Sequence, residues 1–529
     1  MRPSMIFLAT ALLAAACSTT TGSDPDDSDN DGDQTGADDP PAPDDDVIDE
    51  AAGEDALKVI NGEMPGVAVI VEFVEGLDVD ETTEALADQY QLLITSRYHA
   101  LGGAAFIAPD EPVADQLLVD VRVAGVFRDR AVSLSPGEAF DAEADADQAE
   151  AVSAGEFDDV VEADGAKPGD PVSLDKLRPQ VRSTGWRLIH AERVPGDGSN
   201  TRVAVIDTGV DMNHPDLEGV VADSLGKDCQ RRKNKTLMDL MGHGTHVSGI
   251  IAAQNNDFGM VGVAPGTRIV PVRVLNSEGS GSWSAILCGV DYVQRHASSI
   301  DVVNMSLGGT CAYPDGTPAA CSGGEPLDKA LRKLVSSGVT VVVAAGNDGQ
   351  NADWTTPAFV DELITVSAYL DWNGSITSRD RYAHFSNWGE GVDIGAPGVR
   401  IWSTLPGKKY ARWNGTSMAT PFVAAAAAIL VQTQHLGPAG VRDELLAAAR
   451  TSYPGRGGDH PERLLLFQEQ GSGCGDGVCL GDETDASCPA DCGCAASSCG
   501  SPAPFGCFCD EDCAATGDCC ADADICPIM

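Results

Sequence analysis

Stretches in which apolar residues recur at a structural period alternate along the chain with stretches in which they nearly vanish. Residues 67–73 predict a strand, 81–90 a helix, 106–107 a strand, 111–118 a helix and 121–127 a closing strand, together a small α+β unit over 67–135. From 177 to 468, short apolar runs at 201–206, 269–275, 302–305 and 339–344 are separated by helical stretches. Such runs, with no polar alternation, are buried on both faces, which predicts an α/β domain with a parallel sheet covered by helices. Residues 422–432, rich in Ala and Val, add a buried helix.

Between these units lie acidic stretches, 17–60 and 136–176, too poor in apolar residues to offset the entropy of ordering, and they read as linkers. They account for much of the net charge of −47, a balance that repels phosphate backbones and anionic membranes and excludes nucleic acid as a partner class. Asp27-Ser28-Asp29-Asn30-Asp31-Gly32 imitates the start of a calcium loop, but Asp38 stands where a bidentate Glu is wanted and no amphipathic helices flank it; a solvated spacer is the better reading. The length of 529 residues calls for several domains.

Arg2 precedes an apolar run, 5–16, too short to span a bilayer and closed by small residues, so 1–16 reads as a signal peptide. Leu12-Leu13-Ala14-Ala15-Ala16-Cys17-Ser18 resembles a bacterial lipoprotein signal, although Leu13 sits one place early. The resemblance implies lipidation of Cys17 and an extracytoplasmic protein, secreted or held at the cell surface by acyl chains on an acidic tether. No later run is expected to cross a membrane.

The 17 cysteines point to an oxidising compartment. Four fall in 474–492, and eight in 494–526 include Cys507-Phe508-Cys509 and the pair Cys519-Cys520. The second group resembles a somatomedin B domain, which implies a module that can dock a protein partner; stabilising a small core is the plainer role for its disulfides. Inside the α/β domain, the short loop from Cys311 to Cys321 predicts one disulfide and leaves Cys229 with Cys288.

Three motifs carry chemistry. Asp207 ends the run Val203-Ala204-Val205-Ile206-Asp207-Thr208-Gly209, where a buried strand would present a carboxylate at its carboxyl edge; many strands end in Asp merely to form a turn. His243 lies in Gly242-His243-Gly244-Thr245-His246, with glycines that allow close approach. A metal site with His246 is disfavoured because the spacing is not His-Glu-x-x-His. Ser417, in Asn414-Gly415-Thr416-Ser417-Met418-Ala419, precedes the Ala-rich helix, whose N-terminal amides favour an oxyanion; a simple N-cap is the commoner use of such a Ser.

These segments, in the order Asp, His, Ser, resemble the subtilisin family over 177–468. The resemblance implies a serine endopeptidase with Asp207, His243 and Ser417 as catalytic triad, Asn347 in Ala344-Ala345-Gly346-Asn347 as oxyanion donor, and broad specificity for protein or peptide substrates. It implies backbone pairing of substrate with Gly279-Ser280-Gly281 and Ser306-Leu307-Gly308, an outer subsite walled by Trp283, and a pocket lined by Ala344, Ala345 and Gly346, with Asp348 at its rim. It implies a structural Ca²⁺ at Gln180, Asp216 and Asn256 with oxygens from Gln254, Phe258 and Met260, and thiol catalysis is not expected. The order of elements in 67–135 is similar to that family's propeptide, which implies an inhibitory chaperone processed somewhere in 135–179; the acidic insertion departs from the family's direct junction. The rival reading is a binding protein whose inactive protease-like domain scaffolds the cysteine-rich tail.

Overall fold

A computed structural model describes residues 53–134, 172–173, 180–231, 235–311, 319–371, 374–376 and 380–467. The signal segment, Cys17, most of both acidic stretches and the cysteine-rich tail lie outside the described residues.

The chain enters the described part through α1 (Gly53–Ile60), inside the stretch 17–60 expected to be a linker. Ala56, Leu57 and Val59 follow the last acidic residues at helical spacing and are buried, so composition averaged over the segment hid a short amphipathic helix. Then come β1 (Val67–Phe73), α2 (Val79–Tyr90), β2 (Leu93–Tyr98), β3 (Gly103–Ala108), α3 (Glu111–Leu117), β4 (Val123–Arg128) and β5 (Ala131–Ser133). The first four strands form an antiparallel sheet in the order β2-β3-β1-β4. Strand period splits β1 between two cores: Val69 and Val71 pack with Leu86, Phe106 and Leu117 under α2 and α3. Ile70, with Ala105 and Tyr98, joins a cluster belonging to the larger domain.

That larger domain contains β6 (Arg202–Asp207), α4 (His243–Ala252), β7 (Arg268–Arg273), β8 (Ser280–Ser282), α5 (Trp283–Arg295), β9 (Val302–Met305), α6 (Pro326–Ser336), β10 (Thr340–Ala344), β11 (Ile364–Leu370), β12 (Ile394–Pro397) and α7 (Thr416–Gln434). Among the described residues the sheet has nine strands, with the parallel run β12-β11-β10-β9-β6-β7 at its centre. On β6, Val203 and Val205 face α4 and α7, while Ala204 and Ile206 face α5 and α6. Both faces are thus covered, as the unbroken apolar runs require. α7 is long and apolar enough to cross a membrane, yet most of it is buried in this core, which is the physical reason for its composition. It begins at Thr416, six residues before the predicted start, because its first turn carries polar residues that bond elsewhere.

Strand order reverses between β6 and β9, whose successors lie on opposite sides. Ligands of open α/β sheets bind at the carboxyl edge of such a switch point. Asp207 closes β6 there.

The disulfides Cys229–Cys288 and Cys311–Cys321 are both present.

Candidate active site

Asp207 is wholly buried, and its oxygens receive His243 Nδ1 at 2.8 and 2.9 Å and the Thr208 N–H at 2.7 Å. A carboxylate with no water must be paired, and this pairing puts the proton on Nδ1, leaving Nε2 as an acceptor. His243 opens α4. Burial by itself disfavours the imidazolium, but the charge and hydrogen bond of Asp207, with the charge of Asp239, override it and raise the His243 pKa above 6.5.

Asp239 is a site residue that the sequence did not reveal. Its buried carboxylate accepts from the amides of Met241, Gly242 and Thr245 and the hydroxyls of Thr208 and Thr245, all within 2.7–2.9 Å, tying the turn after β6 to the start of α4. Nothing in its local sequence separates it from a surface Asp. His246 does not share a site with His243: its Nε2 contacts the Ala411 carbonyl at 3.2 Å and its ring stacks on Trp413. Burial lowers its pKa to about 3, so it stays neutral.

Ser417 sits in the first turn of α7, but Gly415 is the N-cap, so the capping role foreseen for this serine is taken. Its hydroxyl donates to the Ser306 carbonyl at 3.1 Å, and the Ser306 hydroxyl donates to the Ser417 carbonyl at 2.9 Å. Pro421 makes the second bond possible, because it has no N–H for the carbonyl four residues earlier in α7. Asn304 Nδ2 donates to the Ser306 hydroxyl at 3.0 Å and orients it. No hydrogen bond joins Ser417 to His243 in this resting arrangement, and catalytic hydrogen bonds often tighten only once substrate is bound.

Asn347 turns its Oδ1 toward Thr416, accepting from the amide and hydroxyl at 2.8 Å each. Its Nδ2 then points toward Gly415: a methyl group built there would lie 3.6 Å from Nδ2 and 3.5 Å from the Ser417 nitrogen. Two N–H donors therefore border one small space.

A cleft of about 160 Å³ adjoins these groups, lined by Ser306, Leu307, Gly308, Ala344, Gly346, Asp348 and Thr416 among others. Ala345 is not on its wall. Gly346 at φ +106° turns the chain after β10, so Ala345 points away and packs with Ala352, Ala358 and Val392. Asn387 holds that turn, accepting from the Asp348 and Gln350 amides. Trp283 lies outside the lining of this cleft, in the cluster that includes Val132 of β5, with the Arg130 guanidinium 5.9 Å from its ring, so it borders the segment paired with β8.

Gly279, Ser280 and Gly281 are already engaged. β5 pairs antiparallel with β8, Ser280 opposite Ser133 and Gly281 opposite Val132, and the Leu134 amide donates to the Gly279 carbonyl at 2.9 Å. Ser133 and Leu134 line the same cleft as Ser417.

The six residues expected around a cation cluster at one place. Gln180 Nε2 donates to the carbonyls of Gln254 (2.6 Å) and Met260 (3.1 Å) and to Asn256 Oδ1 (3.4 Å). Asp216 accepts from Asn256 Nδ2, the Met260 amide and the Tyr410 hydroxyl, and the Phe258 amide reaches Asn256 Oδ1. The oxygens of Gln254, Asn256 and Met260 thus converge on one amide nitrogen, and hard oxygen donors of this kind suit Ca²⁺; the Asp216 carboxylate accepts from Asn256 and Met260 beside them.

Fold and site together define a hydrolase of the serine endopeptidase class. Residues 198–473 match the Subtilase family, and the chain belongs to it. Subtilisin of Bacillus pumilus is 41% identical over 253 residues, 48% of this chain and 84% of that protein. Subtilisin E of Bacillus subtilis (strain 168) is 40% identical over 265 residues, 49% of this chain and 64% of that protein. A solved structure, a cold adapted subtilisin-like serine proteinase, is 35% identical, covering 52% of this chain and 92% of its own, with a TM-score of 0.45.

A raised His243 pKa means that the neutral base is lost at a higher pH than for a free histidine. The acid limb of a kcat/KM–pH profile is expected to fall with a midpoint above 6.5, and a midpoint below that value would contradict the Asp207 and Asp239 influence. Asn347→Ala is expected to lower kcat by about 100- to 1,000-fold with KM little changed, a magnitude known for an equivalent donor in a subtilisin; near-normal turnover by active-site-titrated mutant would refute the role.

Proposed function

We propose that this chain is the precursor of an extracytoplasmic endopeptidase that cleaves proteins through Asp207, His243 and Ser417 and is inhibited by its own N-terminal unit. The observation that carries this reading is the occupancy of β8 by β5, with Ser133 and Leu134 continuing into the cleft that holds Ser417. An extended segment added to a sheet edge is how a peptide substrate would be held, by main-chain bonds that do not read side chains. Breadth of specificity follows, with selection left to pockets bordered by Ala344, Gly346 and Asp348.

In the reaction, the Ser417 hydroxyl rotates off the Ser306 carbonyl and attacks the scissile carbonyl as His243 Nε2 takes its proton. The carbonyl oxygen gains the charge and is met by the Ser417 amide and Asn347 Nδ2. Collapse passes the proton from His243 to the leaving amine, and water repeats the sequence to release the acyl group. Asp207 keeps the imidazole in the required tautomer throughout.

Ca²⁺ bound by Gln180, Asp216, Gln254, Asn256, Phe258 and Met260 would brace the loop joining α4 to the strand that follows. Lipidation at Cys17 would hold the enzyme at a membrane surface, and the cysteine-rich tail would dock a protein partner.

Mass spectrometry of wild type beside Ser417→Ala, followed by casein digestion, tests the central claim. Wild type is expected to lose its N-terminal unit and digest casein, and the mutant to do neither; an intact, inert wild type would favour the scaffold reading instead. Chelation with EDTA is expected to lower the thermal midpoint of Ser417→Ala, and saturating calcium to restore it, since an ion at 100 times its Kd stabilises by about 2.7 kcal/mol. An unmoved midpoint would refute the calcium site.

A further inference from the structure

We propose that α1 is a clamp that seals the N-terminal unit over the cleft, seated beside β8 on a surface of the catalytic domain formed by Cys229, Gln230 and Ala285. The inference rests on the reading of that unit as the cover of the substrate edge. β5 alone is a poor seal, because three residues pairing with three make a marginal sheet. The sheet face that carries Ile70 also meets α5, where the Tyr98 hydroxyl donates to the Ser284 carbonyl at 3.0 Å and the Ala100 and Leu101 amides donate to Asp291 at 2.8 and 3.1 Å. α1 adds a further attachment on that same face, over Ala68 and Ile107.

Its first turn is finished by the catalytic domain. Helix N-termini leave N–H groups without partners, and here Gly53 donates to the Cys229 carbonyl at 3.3 Å and Glu54 to the Gln230 carbonyl at 3.1 Å. The approach is too close for any side chain: a Cβ on Gly53 would lie 2.6 Å from the Ala285 Cβ and 2.9 Å from the Cys229 oxygen. Glu54 adds a rim ion pair with Arg231 at 3.9 Å. On its other side, Ala56 and Val59 pack with Ala68 of β1 and Ile107 of β3. The helix thereby joins the cover to the domain it covers.

The receiving surface is tied to the substrate edge. Cys229 is bonded to Cys288 on α5, the helix that follows β8 directly, and Gln230 Nε2 donates to the Val274 carbonyl, which follows β7 and lies against Gly281 of β8. Attachments on one rigid unit raise one another's effective concentration, so weakening α1 is expected to loosen β5 as well.

Hydrogen exchange on the full chain carrying Ser417→Ala reads the seal at residues 131–134, in β5 itself, which α1 does not need to touch to affect. Adding Gly53→Val or Leu57→Ala is expected to speed exchange there by about tenfold, through lost close packing. Lys58→Ala, whose ammonium pairs within the helix with Glu54 and Asp55, is expected to change nothing. Wild-type protection over 131–134 in both test variants would overturn the clamp. So would equal loss of protection over β6, which would make α1 a folding element of the larger domain. No turnover is needed for this readout, so an inert wild type in the casein assay would sink the peptidase reading while leaving the clamp to be judged separately.

Discussion

A charge buried without water must be paired, and the pairing of Asp207 with His243 is the constraint around which the rest of this domain is arranged. Removing one member of such a pair typically costs about 3–5 kcal/mol, because the survivor is left uncompensated. The fold meets the requirement by ending its central strand at the switch point and starting α4 directly opposite. Asp239 then fixes the distance between the two with a fan of hydrogen bonds to the connecting backbone. Orientation of the His243 imidazole is therefore a property of the scaffold.

Much of this was legible in the sequence because the relevant signals are local. A strand buried on both faces must be apolar throughout, so residues 302–305 and 67–73 could be bounded to the residue. The motifs around Asp207, His243 and Ser417 combine glycines for close approach with groups of specific chemistry, and within the domain the short Cys311–Cys321 loop gave one disulfide and left Cys229 with Cys288 as the other. What stayed hidden depends on tertiary contact. Asp239 looks like any polar loop residue until its five donors converge on it. Ala345 turns away from the cleft because Gly346 reverses the chain, a backbone event that composition does not record.

The elements missed altogether are those stabilised by another part of the molecule. α1 has eight residues, too few to be stable alone in water, and exists because two surfaces receive it. β5 is three residues long and finds its partner nearly 150 positions away. β2 was masked by the polar residues Thr95, Ser96 and Arg97, of which Arg97 is satisfied by Asp80 and Glu84 of α2. Segments of this kind carry little periodic signal.

Pro421 has a dynamic consequence as well as a geometric one. The hydrogen bond it withholds from α7 is replaced by one to a strand-end residue 111 positions away, and the reciprocal bond from Ser417 closes a ring between helix and wall. Thermal breathing of either segment must then carry the other with it. Ser417 and the surface beside it move as one body, so fluctuations that would misalign two independent loops are spent elsewhere in the molecule.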